Sequence, residues 1–581
     1  MRLTRSLHFP GNILRAAALA LIATLALTSA AFAQNGYVGV FGGGPFYINA
    51  TNNIREIQNS GFTEAIVWSV EVKSNGDLNL NGEFPLTSGG AYIGGQTHPD
   101  FAGNMSVLKQ GNVKRVTLSI GSSNVGDWQD ITALVNAQGT GPGSILYQDF
   151  QVLKAAIPAL DAVDFDDENS FDLTTTVEFG VMLGNLGYHV IPDAYNNSSY
   201  WMNVVTGINS QLPGTVDSVH LQAYAGGAGN NPCSSTWNFG AVPVYPGLWD
   251  KAETPKEVQS RIANWHSQCG ISGGFMWIYD DFVGNGKAAQ YAQAMKVGAG
   301  YSGFALSGPA TVYVNQNASA KGTIKIADLG GFAGTVNLSV AVLPSGITVS
   351  FGGTGNTQKV TFKAAALAPT GFFPITVTGT SGSITQDFTL TLAVSAAKGT
   401  KGSGQEVDLS AAFNLFGIYT DGTTFSTGGL DGNGFAYSTK LLTKSRSLSQ
   451  VRFKFGLANS PDAVSCNGEL ISLPQGNYSE LILLGTGVNG NQGPVTITVN
   501  YTDGTSAQFL QSFSDWSTPQ HYGGEVEGVA MSYRDAANGT KNDGIFNLYG
   551  YELTLNPAKA VQSVILPSDP NVVVLAATLV P

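Results

Sequence analysis

The chain has 581 residues, 73 of them glycine, with 12% charged residues and a net charge of -12. That length allows three or four domains with substantial cores, and an acidic balance without a basic cluster excludes nucleic acid and anionic membrane as natural partners. Three cysteines are too few for a disulfide scaffold, and six histidines without ligand spacing suggest no metal site.

Arg2, Arg5 and Arg15 precede the apolar run Ala16 to Leu27, which ends in small residues and Ala31-Phe-Ala33. This pattern predicts a secretory signal peptide over residues 1–33, cut before Gln34 and too short for a membrane span. The mature protein is therefore expected to be secreted, to the periplasm or beyond. No later stretch reads as a transmembrane helix, and the apolar run Val572 to Val580 reads as a last buried strand.

Residues 34–300 alternate strand-like and helix-like segments, the pattern of parallel β/α units. Strands are predicted at Tyr37 to Phe41, Ala65 to Val72, Val113 to Ile120, Ala162 to Phe165, His189 to Ile191, Val216 to Tyr224, Pro243 to Trp249 and Gly274 to Tyr279. Helices are clearest at Tyr147 to Leu160 and Pro255 to Gln268. Eight strands in about 265 residues predict a (β/α)8 TIM barrel, with its site at the C-terminal strand ends. Cys233 and Cys269 both fall in this domain and can pair in an oxidising compartment, leaving Cys466 single.

The fourth strand carries the chemistry: Asp161-Ala-Val-Asp164-Phe-Asp166-Asp167-Glu168. Strand side chains alternate faces, so Asp164, Asp166 and Glu168 point one way, spaced roughly 6 to 7 Å, and Val163 and Phe165 the other. Carboxylates so close cannot all ionise cheaply, which suits a site that keeps an acid protonated near neutral pH. A calcium loop of the EF-hand kind fits poorly, because Asn169 stands where its glycine belongs. A solvated acidic turn fits poorly too, because Val163 and Phe165 are apolar.

The spacing Asp-x-x-Asp-x-Asp-x-Glu closely resembles the catalytic signature of glycoside hydrolase family 18, the chitinases and endo-β-N-acetylglucosaminidases. Other strand ends extend the resemblance. Ser119-Ile-Gly121-Ser122 resembles the family's Ser-x-Gly-Gly, with Ser122 in place of the second glycine. Gln222-Ala-Tyr224 and Asn230-Asn231-Pro232-Cys233 resemble plant class III chitinases, with Ala225 in place of an Asn. Met276-Trp277 resembles the family's sugar-supporting floor.

The resemblance implies roles. Glu168 is the general acid; Asp166 orients the substrate's 2-acetamido group, whose oxygen attacks the anomeric carbon; Tyr224 donates a hydrogen bond to that oxygen. Asp164 holds Asp166 and exchanges a proton with it. Asp161 is expected to be structural, and with Gln222, Trp277 and Ser119 completes the substrate side. No cofactor or metal is implied. Asp167 faces away, yet the Phe-Asp-Asp-Glu form resembles bacterial enzymes that cut N-glycan cores.

After Tyr301 the pattern changes. Residues 304–396, with alternation at Val336 to Val342 and at Phe388 to Val394, predict an Ig-like β-sandwich of about 90 residues. Residues 397–404 read as a flexible linker. Residues 405–581, with strands such as Gln450 to Phe455 and Val495 to Tyr501, predict a C-terminal jelly-roll-like sandwich resembling accessory modules of bacterial glycosidases. Trp516, Tyr522 and Tyr437 there either stack on sugars or fill the core.

The reading is a secreted, monomeric, modular hydrolase cutting β-1,4 bonds after N-acetylglucosamine in chitin or chitooligosaccharides. Its rivals are an endoglycosidase acting on N-glycans, a sugar-binding lectin on the same barrel, and a surface adhesin with a vestigial barrel.

Overall fold

The computed structural model describes residues 36–123, 125–398 and 403–581; the signal-peptide expectation lies outside them. The chain forms two compact units. One holds the barrel together with residues 326–337 and 379–389, and the other holds residues 308–325, 338–378 and 390 onward.

The barrel strands are β1 (Val38–Gly42), β2 (Glu64–Val72), β3 (Arg115–Gly121), β4 (Ala162–Asp166), β5 (His189–Ala194), β6 (Val219–Gln222), β7 (Val244–Trp249) and β8 (Gly274–Trp277). Each pairs in parallel with its sequence neighbour, and β1 pairs with both β2 and β8, so the sheet closes. The expected (β/α)8 architecture is present, with two departures: the hairpin Leu78–Leu80 and Phe84–Pro85 pairs antiparallel with the end of β2, and one helix is missing. Between β6 and β7 only two three-residue 3-10 turns appear, at Ala225–Gly227 and Ser235–Trp237, in place of a helix. Cys233 in this segment is disulfide-bonded to Cys269, their Cα atoms 5.4 Å apart.

Local chemistry explains the helix that carries Cys269. In α1 (Pro255–Cys269), Thr254 and Glu257 form a capping box, Pro255 occupies the first turn, and Gly270 closes the helix in the left-handed region at φ 73°. Its apolar stripe, Val258, Ile262 and Trp265, faces the barrel core.

Strand alternation sorts side chains into two environments. Val40, Val67, Leu118, Val163, Phe165, Val190 and Leu221 face outward against the helices. Phe165 lies 5.5 Å from Phe179 in a stacked pair and 4.8 Å from Trp128 edge-on; burying such a ring contributes about 1.5–3 kcal/mol. Inside, Phe41, Ile66, Phe275 and Tyr224 form a small apolar plug beneath Trp68, Trp249 and Trp277. Gly247 is required there, because a Cβ would stand 2.1 Å from the Phe275 ring.

Residues 303–395 build two four-stranded sheets, one ordered 303–307, 319–329, 357–364, 347–352 and the other 311–315, 384–395, 371–381, 337–339. The alternation expected over Val336 to Val342 yields only the three-residue strand Asn337–Ser339. Val342 is exposed, because the chain leaves the sheet before Pro344. At the two ends of the stretch read as a linker, Ala397 and Lys398 pair with Ser447 and Arg446, and Ser403 bridges Val451; residues 399–402 of that stretch lie outside the described residues.

Residues 403–581 form a sandwich of an eight-stranded and a four-stranded sheet, and Ser445–Leu448 and Val451–Lys454 join Ala397–Lys398 in a separate three-stranded sheet. The terminal run Val572–Val580 is a strand of the larger sheet, flanked by 405–406 and 480–487. Leu481, Leu483, Ile497, Val499, Val561 and Val564 fill the space between the sheets. Among the described residues no helix is long and apolar enough to cross a membrane.

Candidate active site

The alternation in β4 places Asp164 and Asp166 inside the barrel, 0% and 4% exposed, while Glu168, just past the strand, is half-buried at its mouth. Asp167 points elsewhere and is buried. Its carboxylate accepts the backbone N–H groups of Asn169 (3.1 Å), Ser170 (2.8 Å) and Phe171 (2.7 Å), turning the chain out of the strand. The doubled aspartate is thus explained by loop geometry.

Gly121 lies across from Asp166 in the β3–β4 register. Its φ of 100° is a glycine conformation, and a Cβ would stand 2.3 Å from the Asp166 carbonyl oxygen. The first glycine of the Ser-x-Gly-Gly-like segment is therefore the one this geometry demands. Ser119 donates its hydroxyl to Asp164 at 2.7 Å.

The other oxygen of Asp164 faces His220 Nδ1 at 2.8 Å, and His220 Nε2 lies 3.5 Å from Glu64. Glu64 also accepts the Thr117 hydroxyl at 2.6 Å, with Arg115 3.9 Å away. Burial works against a charged ring, but the hydrogen bonds it donates to Asp164 and Glu64, and their negative charges, outweigh burial and push His220 up to about 10. Glu64 falls below its ordinary value despite its burial, because His220 and Arg115 favour its charge.

Asp166 accepts Gln222 Nε2 at 3.0 Å. Burial, then the charges of Asp193, Glu168 and Asp164, hold its carboxyl well above the usual range. Glu168 is raised too, chiefly by burial, with hydrogen bonds from Gln222, Asp166 and Ser123 opposing. Burial and the surrounding acids keep the Tyr224 hydroxyl protonated, hence a donor. The Tyr224 ring lies 6.1 Å from Trp277 at an interplanar angle of 18°, and Trp277 meets Trp68 edge-on at 4.9 Å. The indole N–H groups of Trp68 and Trp249 are buried without a protein partner.

The structure thus brings Asp164, Asp166, Glu168, Ser119, Gln222, Tyr224 and Trp277 together. It does not bring Asp161, which precedes β4 at the opposite strand end and there accepts the Val116 N–H at 2.9 Å and the Lys109 ammonium. A substrate-side place for Asp161 is therefore corrected to a structural one. Cys233 and Cys269 are joined, and Cys466 is free and buried. Among the described residues no three His, Cys, Asp or Glu side chains cluster as a metal site.

Sequence reasoning passed over Glu64, Asp193, His220, Trp68 and Trp249. His220 was findable, since period-two spacing puts it on the face of Gln222. Asp193 and Glu64 lay just beyond the predicted limits of their strands.

One family model matches the chain, the AziU2-like beta-sandwich domain, over residues 403–581. No curated protein matches. Among solved structures, an endo-beta-1,4-mannanase from Thermotoga petrophila is 12% identical, covering 62% of this chain and 97% of its own, at a TM-score of 0.29. Two endo-fucoidan hydrolases from glycoside hydrolase family 107 are each 10% identical at a TM-score of 0.31. One covers 93% of this chain and 97% of its own, the other 90% and 98%. Likenesses this slight carry no argument about substrate or mechanism.

Proposed function

We propose that the barrel is a family 18-like glycoside hydrolase that cleaves the β-1,4 bond after an N-acetylglucosamine unit, in chitin or chitooligosaccharides, with retention. The observation that carries this reading is the division of labour along one strand face: Glu168 is the acid at the mouth, and Asp166 lies buried behind it, bonded to Gln222. Glu168, raised by burial, protonates the leaving glycosidic oxygen. Asp166 accepts the acetamido N–H while the acetamido oxygen attacks the anomeric carbon, and Tyr224 donates to that oxygen. Water then opens the cyclic intermediate, with Glu168 taking its proton. Trp277 offers an aromatic face to the sugar.

The doubled Asp166-Asp167 points by its spelling to N-glycans, but Asp167 serves the loop, so chitin-type chains are the preferred substrate. Export rests on the N-terminal charge and apolar pattern, and the Cys233–Cys269 disulfide agrees with an oxidising compartment. The middle sandwich is read as an Ig-like spacer.

The test is hydrolysis of a chitooligosaccharide and of a high-mannose N-glycopeptide by the wild type and by Glu168→Gln. The wild type is expected to cut the first, and the variant to lose about 10²–10⁴-fold in kcat while still binding it. Cleavage of the glycopeptide alone would move the substrate to N-glycans. Binding without cleavage would replace the hydrolase with a lectin.

A further inference from the structure

The resemblance to family 18 gives Asp164 the task of exchanging a proton with Asp166, and the surroundings of Asp164 speak against it here. His220 is 1% exposed and presents its two ring nitrogens to two carboxylates, Asp164 at 2.8 Å and Glu64 at 3.5 Å. A ring flanked this way is an imidazolium, since only that form donates from both nitrogens. Asp164 is then its anionic partner, and its second oxygen is occupied by the Ser119 hydroxyl. Protonating Asp164 would undo a buried ion pair, which is costly.

Asp193 is placed differently. It stands in register beside His220 of β6, and on its other side it follows the Phe165–Pro192 pair, so β5 sets it next to Asp166. It is 1% exposed, and its Oδ1 has no hydrogen-bond partner. The groups that interact with it are Asp164, Asp166 and Glu168 of the β4 segment, His220, Gln222 and Tyr224 of the β6 segment, with Gln222 as a hydrogen-bond donor to it, and Glu64 beyond His220. A buried carboxylate with a bare oxygen is far costlier as an anion than as an acid. Two adjacent buried carboxyls do not both ionise.

We propose that Asp193 and Asp166 hold one proton between them, and that Asp193, not Asp164, is the carboxyl that gives that proton to Asp166 and takes it back. Burial and the Asp164 charge raise Asp193 well above the usual carboxylate range; burial raises Asp164 too, but there the hydrogen bonds from His220 and Ser119 and the His220 charge oppose it. Asp193 is a positioning residue: the part it plays in hydrolysis, fixing the charge of Asp166 when the acetamido group arrives, rests on the glycosidase reading. The location of the proton does not.

The experiment is infrared spectroscopy of the carboxylic-acid C=O stretch near neutral pH on the mature, substrate-free protein. It compares the wild type with Asp193→Asn, Asp164→Asn and His220→Gln, each checked for folding by circular dichroism. Asp193→Asn is expected to move the acid band in frequency, because the one proton then rests on Asp166 alone, and Asp164→Asn to leave the band in place. His220→Gln is expected to gain intensity, because Asp164 then takes up a proton it did not carry before; this variant decides the question if Asp193→Asn does not fold. An acid band unchanged in Asp193→Asn, or unchanged in His220→Gln, overturns the proposal. Since no substrate is present, a wild type that fails to hydrolyse sugars sinks the glycosidase reading and leaves this result standing.

Discussion

Buried carboxylates occur both inside the barrel and in the C-terminal sandwich, and Asp462 and Asp515 of the sandwich differ in their partners from the barrel carboxyls. In the sandwich, Asp462 accepts the backbone N–H groups of Gly417 (2.7 Å) and Ile418 (3.2 Å), and Asp515 accepts that of Gly490 (3.0 Å). In the barrel, Asp164, Asp166 and Asp193 face side chains that titrate or donate: His220, Gln222 and one another. Backbone amides cannot change protonation state, so a carboxylate bonded to them fixes geometry. Carboxyls facing one another share protons, and that is the raw material of acid–base chemistry. Asp167 sharpens the lesson, because one residue after Asp166 it follows the sandwich pattern within the barrel.

The aromatics divide in the same way. Trp516 and Tyr437 are buried in the sandwich, 5.3 Å apart and edge-on, and Tyr437 donates its hydroxyl to the Asn547 carbonyl at 2.5 Å. They are core residues, which settles the choice the sequence left open, whereas Tyr522 is half-buried. Trp277, Trp68 and Trp249 are half-buried at the barrel mouth.

The largest effect expected from this division is on stability. Trp516→Ala should cost about 3–5 kcal/mol of sandwich stability by denaturant titration and leave chitooligosaccharide hydrolysis unchanged. A fall in sugar turnover at full stability would break the contrast between the two regions. Next in size, Asp167→Ala removes an acceptor from three backbone donors and should cost about 1–3 kcal/mol of barrel stability. Its KM should hold; a change in substrate preference between chitooligosaccharide and N-glycopeptide would return Asp167 to the site.

The last effect is spread over a pH range. His220 rises from 6.5 to about 10 in the folded barrel, so its contribution is fully present below about 6.5 and is lost as pH rises through about 10. Thermal unfolding should show barrel stability falling over that window, and His220→Gln should flatten the fall. A slope unchanged in the variant would mean that the ring is neutral between its two carboxylates.

By itself the sequence determined the barrel, because eight strand-like runs separated by helical or turn segments leave few other arrangements. It determined the parity of β4 as well: a period of two puts Asp164, Asp166 and Glu168 on one face whatever surrounds them. The parity of β6 likewise aligned Gln222 with His220. Which groups meet across strands depends on the closed sheet. His220 joins Asp164 to Glu64 through the register of β6, β4 and β2, which lie far apart in the chain. Asp193 stands beside Asp166 because β5 runs on to Ala194 instead of ending at Ile191. Asp161, the first residue of the same motif, falls at the far end of its strand from Glu168, since a strand advances about 3.3 Å per residue and seven residues carry the chain across the barrel. Spacing along one strand follows from the chain, whereas protonation depends on neighbours that only the closed sheet supplies.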